Sequence, residues 1–123
     1  MAFTVRFPAD DSRYGMAVGR GALNTGNGFD PKTGIFTAPV AGTYVFFLTQ
    51  MGPVYTRGPV TLAIVKRGGV LDLVYCHGYE DQGSGRVTAY LRAGQQVWVR
   101  RVSGKAVRGN WYTVFTGYLI HAK

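Results

Sequence analysis

Apolar and polar positions alternate with a period of two along Phe3-Thr4-Val5-Arg6-Phe7, and again through Thr61 to Val65, Val87 to Leu91, Val97 to Val99 and Thr113 to Ile120. Successive side chains of a strand point to opposite faces, so each run predicts a β-strand with one face on a core. Turn-forming clusters separate the runs: Gly26-Asn27-Gly28, Asp30 to Gly34, Gly52-Pro53, Gly68-Gly69, Gly83-Ser84-Gly85 and Arg92-Ala93-Gly94. Many short strands at this interval predict an antiparallel sandwich or barrel. No segment carries a sustained apolar stripe at helical spacing, so no helix longer than about one turn is expected.

Two stretches depart from strict alternation. Tyr44-Val45-Phe46-Phe47-Leu48 is apolar on both faces of its strand, and Val114-Phe115 with Tyr118-Leu119-Ile120 behaves alike. One sandwich has one core, so the second face needs another cover. A folded-over loop would serve; the expectation is a second copy of the chain.

At 123 residues the chain predicts a single domain over 1–123, able to bury a core without disulfides. Its 46% hydrophobic content separates it from disordered chains. Fourteen Lys and Arg against six Asp and Glu give a formal +8, which favours anionic partners. The basic residues are spread over strands and loops rather than forming a stripe, and no nucleic-acid motif is present, so nucleic acid is not the expected partner. No apolar run approaches the roughly 20 residues of a spanning helix, so no membrane insertion is expected. Met1 to Thr4 do not start a secretion signal; if the protein is secreted, its signal is expected to have been removed or left out of this chain. Cys76 is the sole cysteine and is expected to be a buried strand thiol.

Catalysis finds few parts. Cys76 and His77 are adjacent on a predicted strand, so they face opposite sides and cannot form a nucleophile and base pair. Gly19-Arg20-Gly21 and Gly83-Ser84-Gly85 lack the third glycine and the following helix of a phosphate loop. No Cys/His cluster has zinc-ligand spacing. A non-enzyme without a required cofactor is expected.

Asn24, Phe29, Phe36, Gly42, Tyr44 and Phe46 stand at a spacing that resembles the C1q globular-head domain family, whose trimeric modules are similar to tumour-necrosis-factor ligands. Thr61 to Lys66 looks like that family's fourth long strand. Gly85 to Leu91 followed by Gly94 to Val99 is similar to its strand-turn-strand, and Tyr112 to Ile120 to its closing strand. Val18 and Leu48 stand where the family prefers an aromatic, and Gln95 replaces a usual acidic residue. The resemblance implies an all-β, antiparallel β-sandwich with jelly-roll topology, about ten strands, and a secreted, extracellular homotrimer. No collagen-like Gly-x-y run occurs in the chain, so a free-standing head is expected.

The family's strand order would gather four loops, 8–15, 52–58, 77–85 and 102–112, at the end distant from both termini. Their cations and amphipathic rings suit an acidic sugar: Arg forks hold carboxylates, Asn and Tyr bond hydroxyls, and rings cover the apolar face of a pyranose. The expected ligand-binding residues are Arg13, Tyr55, Arg57, Tyr79, Lys105, Arg108, Asn110 and Trp111. Some relatives hold calcium near the apex with loop carboxylates, which makes Asp10, Asp11, Glu80 and Asp81 candidate ligands. The family's invertebrate members include sialic acid-binding lectins. With the charge, this implies a carbohydrate-binding pattern-recognition lectin of innate immunity, taking anionic glycans, glycoproteins or bacterial envelope polysaccharide. The alternative is a cytokine-like or matrix module that binds proteins as a trimeric ligand.

Overall fold

The structure is a computed structural model and describes residues 2–6, 15–16, 20–26, 28–51, 57–78, 82–103 and 113–122. Eleven strands run through these residues, two of them only two residues long: β1 (Ala2–Arg6), β2 (Gly15–Met16), β3 (Arg20–Thr25), β4 (Phe29–Asp30), β5 (Ile35–Thr37), β6 (Gly42–Met51), β7 (Arg57–Lys66), β8 (Gly69–Gly78), β9 (Gln82–Leu91), β10 (Gln96–Ser103) and β11 (Val114–Ala122). They form two antiparallel sheets, in the orders β3-β1-β11-β6-β9 and β4-β5-β10-β7-β8, with β2 also pairing β10. Helix is absent among the described residues. The sandwich and its crossed-over strand order are those of the jelly roll expected from the sequence.

Strand β1 pairs with β11 from Ala2↔Tyr118 to Arg6↔Val114, which brings the first and last described strands side by side. Strand directions then put the start of β1, the end of β11, the β7–β8 turn and the β9–β10 turn at one end of the sandwich. The opposite end, the apex, receives the β6–β7, β8–β9 and β10–β11 connections.

The core is an aromatic stack built from singly spaced anchors. Phe3 lies against Phe29 with ring centroids 4.9 Å apart, against Phe36 at 5.0 Å, and edge-on to Phe115 at 5.1 Å. Such pairs contribute about 0.5–1.5 kcal/mol each beyond their buried area. Asn24 explains why one polar residue belongs to this pattern. Its Nδ2 donates to the Phe29 carbonyl at 2.7 Å and its Oδ1 accepts from the Phe29 amide at 3.2 Å, so one side chain clasps the backbone that carries a core ring. Gly28 beside it leaves room for the Phe36 ring, whose Cε1 would be 2.6 Å from any added Cβ. Tyr44 is fully buried, and its hydroxyl donates to the Val40 carbonyl at 2.8 Å, closing the turn that enters β6.

Towards the apex the core turns polar. Gln50 and Thr113 are fully buried and Arg101 nearly so. Gln50 Nε2 donates to the Val74 carbonyl at 2.8 Å, a hydrogen bond from one sheet to the other.

One expected turn is not a turn. Gly83-Ser84-Gly85 lies inside β9, in register with Gln50, Thr49 and Leu48 of β6. The glycines serve close approach between sheet edges: a Cβ on Gly83 would meet the Tyr75 carbonyl oxygen, and one on Gly85 would lie 2.5 Å from Asp72 Oδ2. The connecting loops are accordingly shorter than the sequence suggests. His77 lies within β8, and Arg57 opens β7 opposite Gly78.

Candidate recognition surfaces

The outer face of the first sheet is the largest apolar feature that the sequence anticipated. Tyr44, Phe46 and Leu48 of β6 point into the core, which sends Val45 and Phe47 to the other side; Phe115 and Gly117 of β11 likewise send Tyr118 and Ile120 outward. Register completes the patch. Val45 faces Tyr118 and Phe47 faces Thr116 across β11, while Phe47 faces Arg86 and Thr43 faces Tyr90 across β9. The Phe47 and Tyr118 rings stack at 6.2 Å, and the Arg86 guanidinium carbon sits 5.9 Å from the Phe47 centroid. Thr4 and Thr116 join their hydroxyls at 3.3 Å beside them. Val45 is covered by its neighbours, but Tyr118 keeps 39% and Ile120 54% of its surface exposed, and Leu23 on the adjoining β3 is exposed too. A single chain thus leaves this second aromatic layer open to solvent.

The ligand residues expected on the apex loops stand differently. Arg13, Tyr55, Tyr79, Lys105, Arg108, Asn110 and Trp111 lie outside the described residues, as do the calcium candidates Asp10, Asp11, Glu80 and Asp81. Arg57 is placed by its backbone at the apex end of β7, and its side chain lies outside the description. Cys76 sits in β8 opposite Val60, with its side chain likewise undescribed. The sequence reading put no ligand residue on the outer face of the second sheet. Trp98 and Arg100 stand there, two apart on β10, with buried Val97 and Val99 alternating with them and facing the core. That i, i+2 spacing on an alternating strand is the signal in the sequence that sets both side chains on one face.

A two-sheet jelly roll with single aromatic anchors, an Asn24 clasp and a two-faced β6 and β11 defines a domain of the C1q and tumour-necrosis-factor type. The chain belongs to the C1q domain family: the family model for the C1q domain matches residues 2–120. Among curated proteins it is 32% identical over 133 residues to the human complement C1q and tumor necrosis factor-related protein 9A, covering 97% of this chain and 38% of that protein. It is 35% identical over 102 residues to the mouse complement C1q and tumor necrosis factor-related protein 9, covering 76% of this chain and 29% of that one. The chain therefore spans less than half the length of these relatives. The globular domain of a zebrafish complement 1qA protein superposes with a TM-score of 0.80 at 24% identity, covering 99% of this chain and 98% of that one. Murine APRIL superposes with a TM-score of 0.77 at 11% identity, covering 97% and 98%.

Proposed function

We propose that this chain is a non-catalytic recognition module that works outside the cell as a homotrimer and binds anionic carbohydrate, such as sialic acid or bacterial envelope polysaccharide, in innate defence. The observation that carries the ligand class is the formal +8, fourteen cations against six carboxylates, on a fold of the C1q family. The observation that favours self-association is the exposed Phe47–Tyr118 layer, since contiguous apolar surface on a small domain marks an interaction site and a threefold assembly can close on it. Three copies would present equal sites together, so weak sugar contacts would gain avidity on a cell surface. The loop residues named from the sequence, with calcium as a supplement held by Asp10, Asp11, Glu80 or Asp81, remain part of this proposal.

The test is binding of the purified oligomer to paired glycans with and without terminal sialic acid, at physiological salt, with calcium supplied or chelated. Selective retention of the sialylated member supports the reading, and equal behaviour of all pairs overturns it. A second reading, a protein-binding ligand, is favoured by the curated relatives, whose names are those of tumor necrosis factor-related proteins. Free sialic acid should release a lectin from cells and leave a protein ligand in place.

A further inference from the structure

The second sheet carries a groove at the end of the sandwich opposite the apex loops. Its wall is β10, where Trp98 and Arg100 point away from the core; its floor is β7, where Val65 stands opposite Trp98. Val65 is buried although it lies on the outer side of the sheet, where its cross-strand neighbours Trp98 and Val70 flank it. The end of β7 and the β7–β8 turn supply the rim with Lys66 and Arg67, and Val70, 56% exposed, stands opposite Val65. The groove holds about 360 Å³, and a second hollow of about 220 Å³ lies on the other side of Lys66 and Arg67, against Gln95 and Gln96.

Two features bear on what this groove could hold. Gly68 takes a left-handed φ of +98° that the turn requires, and a Cβ on Gly68 or Gly69 would meet nothing within 4 Å, so the rim beside them is open. Three cations, Lys66, Arg67 and Arg100, line the hollow with Trp98, and no acidic residue is among the described residues that line either hollow. The chemistry on offer is a guanidinium fork for a carboxylate and a flat ring for the apolar face of a pyranose; Gln95 Oε1 already accepts from the Arg92 amide and Gln96 Nε2 donates to Thr37 Oγ1, which leaves the Gln95 Nε2 and Gln96 Oε1 for hydroxyls.

Resting on the anionic-carbohydrate reading above, we infer that this groove is a carboxylated-sugar site, with Trp98 as the stacking platform and Arg67, Arg100 and Lys66 as the carboxylate-binding cations. Its position suits a trimer. The two sheets lie back to back, so an assembly closed on the Phe47–Tyr118 face leaves the Trp98 face outward on every copy.

The experiment measures binding of sialyllactose, a glucuronic acid-terminated disaccharide and lactose to the whole chain, with Arg67→Gln, Arg100→Gln and Trp98→Phe alongside. The indole N–H signals are followed by NMR, and Trp98→Phe assigns the one from Trp98. The two exposed arginines can be changed without touching the core, so their variants stay folded even if Trp98→Phe does not. The expected result is a shift of the Trp98 signal by an acidic sugar and not by lactose, with each arginine variant binding roughly tenfold more weakly. The sialylated and uronic arms identify which carboxylated sugar is preferred, and either one supports the site. Wild-type binding that is unchanged in both arginine variants, with no shift at Trp98, overturns the groove and leaves the lectin reading standing. Absence of binding to either acidic sugar overturns both.

Discussion

Phe47 and Tyr118 stack with their ring planes 16° apart, although they are not register partners: Phe47 faces Thr116 and Tyr118 faces Val45, so the contact runs diagonally from β6 to β11. A diagonal pair lies within reach of long aromatic side chains, and here it knits the two central strands of the first sheet on their solvent side. Phe47 also has Arg86 at cation–π distance. The strands would pair without these rings, since their cores are supplied by Tyr44, Phe46 and Phe115.

That separation between inner and outer rings gives a test of assembly. Phe47→Asp or Tyr118→Asp would place a charge on the exposed layer and leave every buried core residue in place. The expected outcome is a fall in mass from an oligomer to a single chain by sedimentation, with the far-ultraviolet spectrum of the sheet retained. An oligomer that survives both substitutions would remove this face as its interface.

Gly117 occupies the floor beneath the aromatic stack. An added Cβ would lie 2.5 Å from Phe3 Cε2 and 2.8 Å from Phe46 Cδ1, and both rings are fully buried with no room to retreat. Gly117→Ala should therefore destabilise the fold by about 1–3 kcal/mol, the usual cost of overpacking a filled core. Equilibrium denaturation would read this as a lower urea midpoint, and an unchanged midpoint would mean that the stack is looser than its geometry.

Asn24 bonds both polar groups of the Phe29 backbone. Asn24→Ala removes two hydrogen bonds of about 0.5–1.5 kcal/mol each. Asn24→Asp keeps an acceptor for the Phe29 amide but sets a carboxylate oxygen against the Phe29 carbonyl, so it should rescue little. If the aspartate variant melts with the wild type, the Nδ2 donor contributes nothing.

Most of the fold was legible because its determinants are local or periodic. The alternation at Val97 to Val99 and Val87 to Leu91 located β10 and β9, and the single aromatics between turn signals located the core that Phe3, Phe36 and Phe46 share. The error at Gly83-Ser84-Gly85 has a definite cause. Glycine marks turns and close approaches alike, and only the fold shows that Tyr75 and Asp72 of another sheet press on these positions. Buried Gln50 was equally hidden, because its partner is the Val74 carbonyl, 24 residues away. The Trp98 groove is a third case: Trp98, Lys66 and Val70 belong to three different strands or turns, and no window along the chain contains them together.

Tyr44 links stability to alkaline pH. Burial pushes its phenol above the ordinary value of 10.0, so the folded state holds the proton where the unfolded chain begins to lose it. Stability rises with pH only where the unfolded state binds more protons; here it binds fewer, so the Tyr44 contribution is complete below 10.0 and is lost as pH rises through that value towards the raised one. Tyr44→Phe deletes this titration along with the hydrogen bond to Val40, costing about 0.5–1.5 kcal/mol at neutral pH. Other tyrosines and lysines titrate in the same range, but they are common to both proteins and cancel in the difference. Urea midpoints at several pH values from neutral to about pH 11 should therefore show the gap between wild type and Tyr44→Phe narrowing as pH rises. A gap that stays constant would mean that the phenol ionises equally in both states, and a gap that widens would reverse the sign of the burial argument.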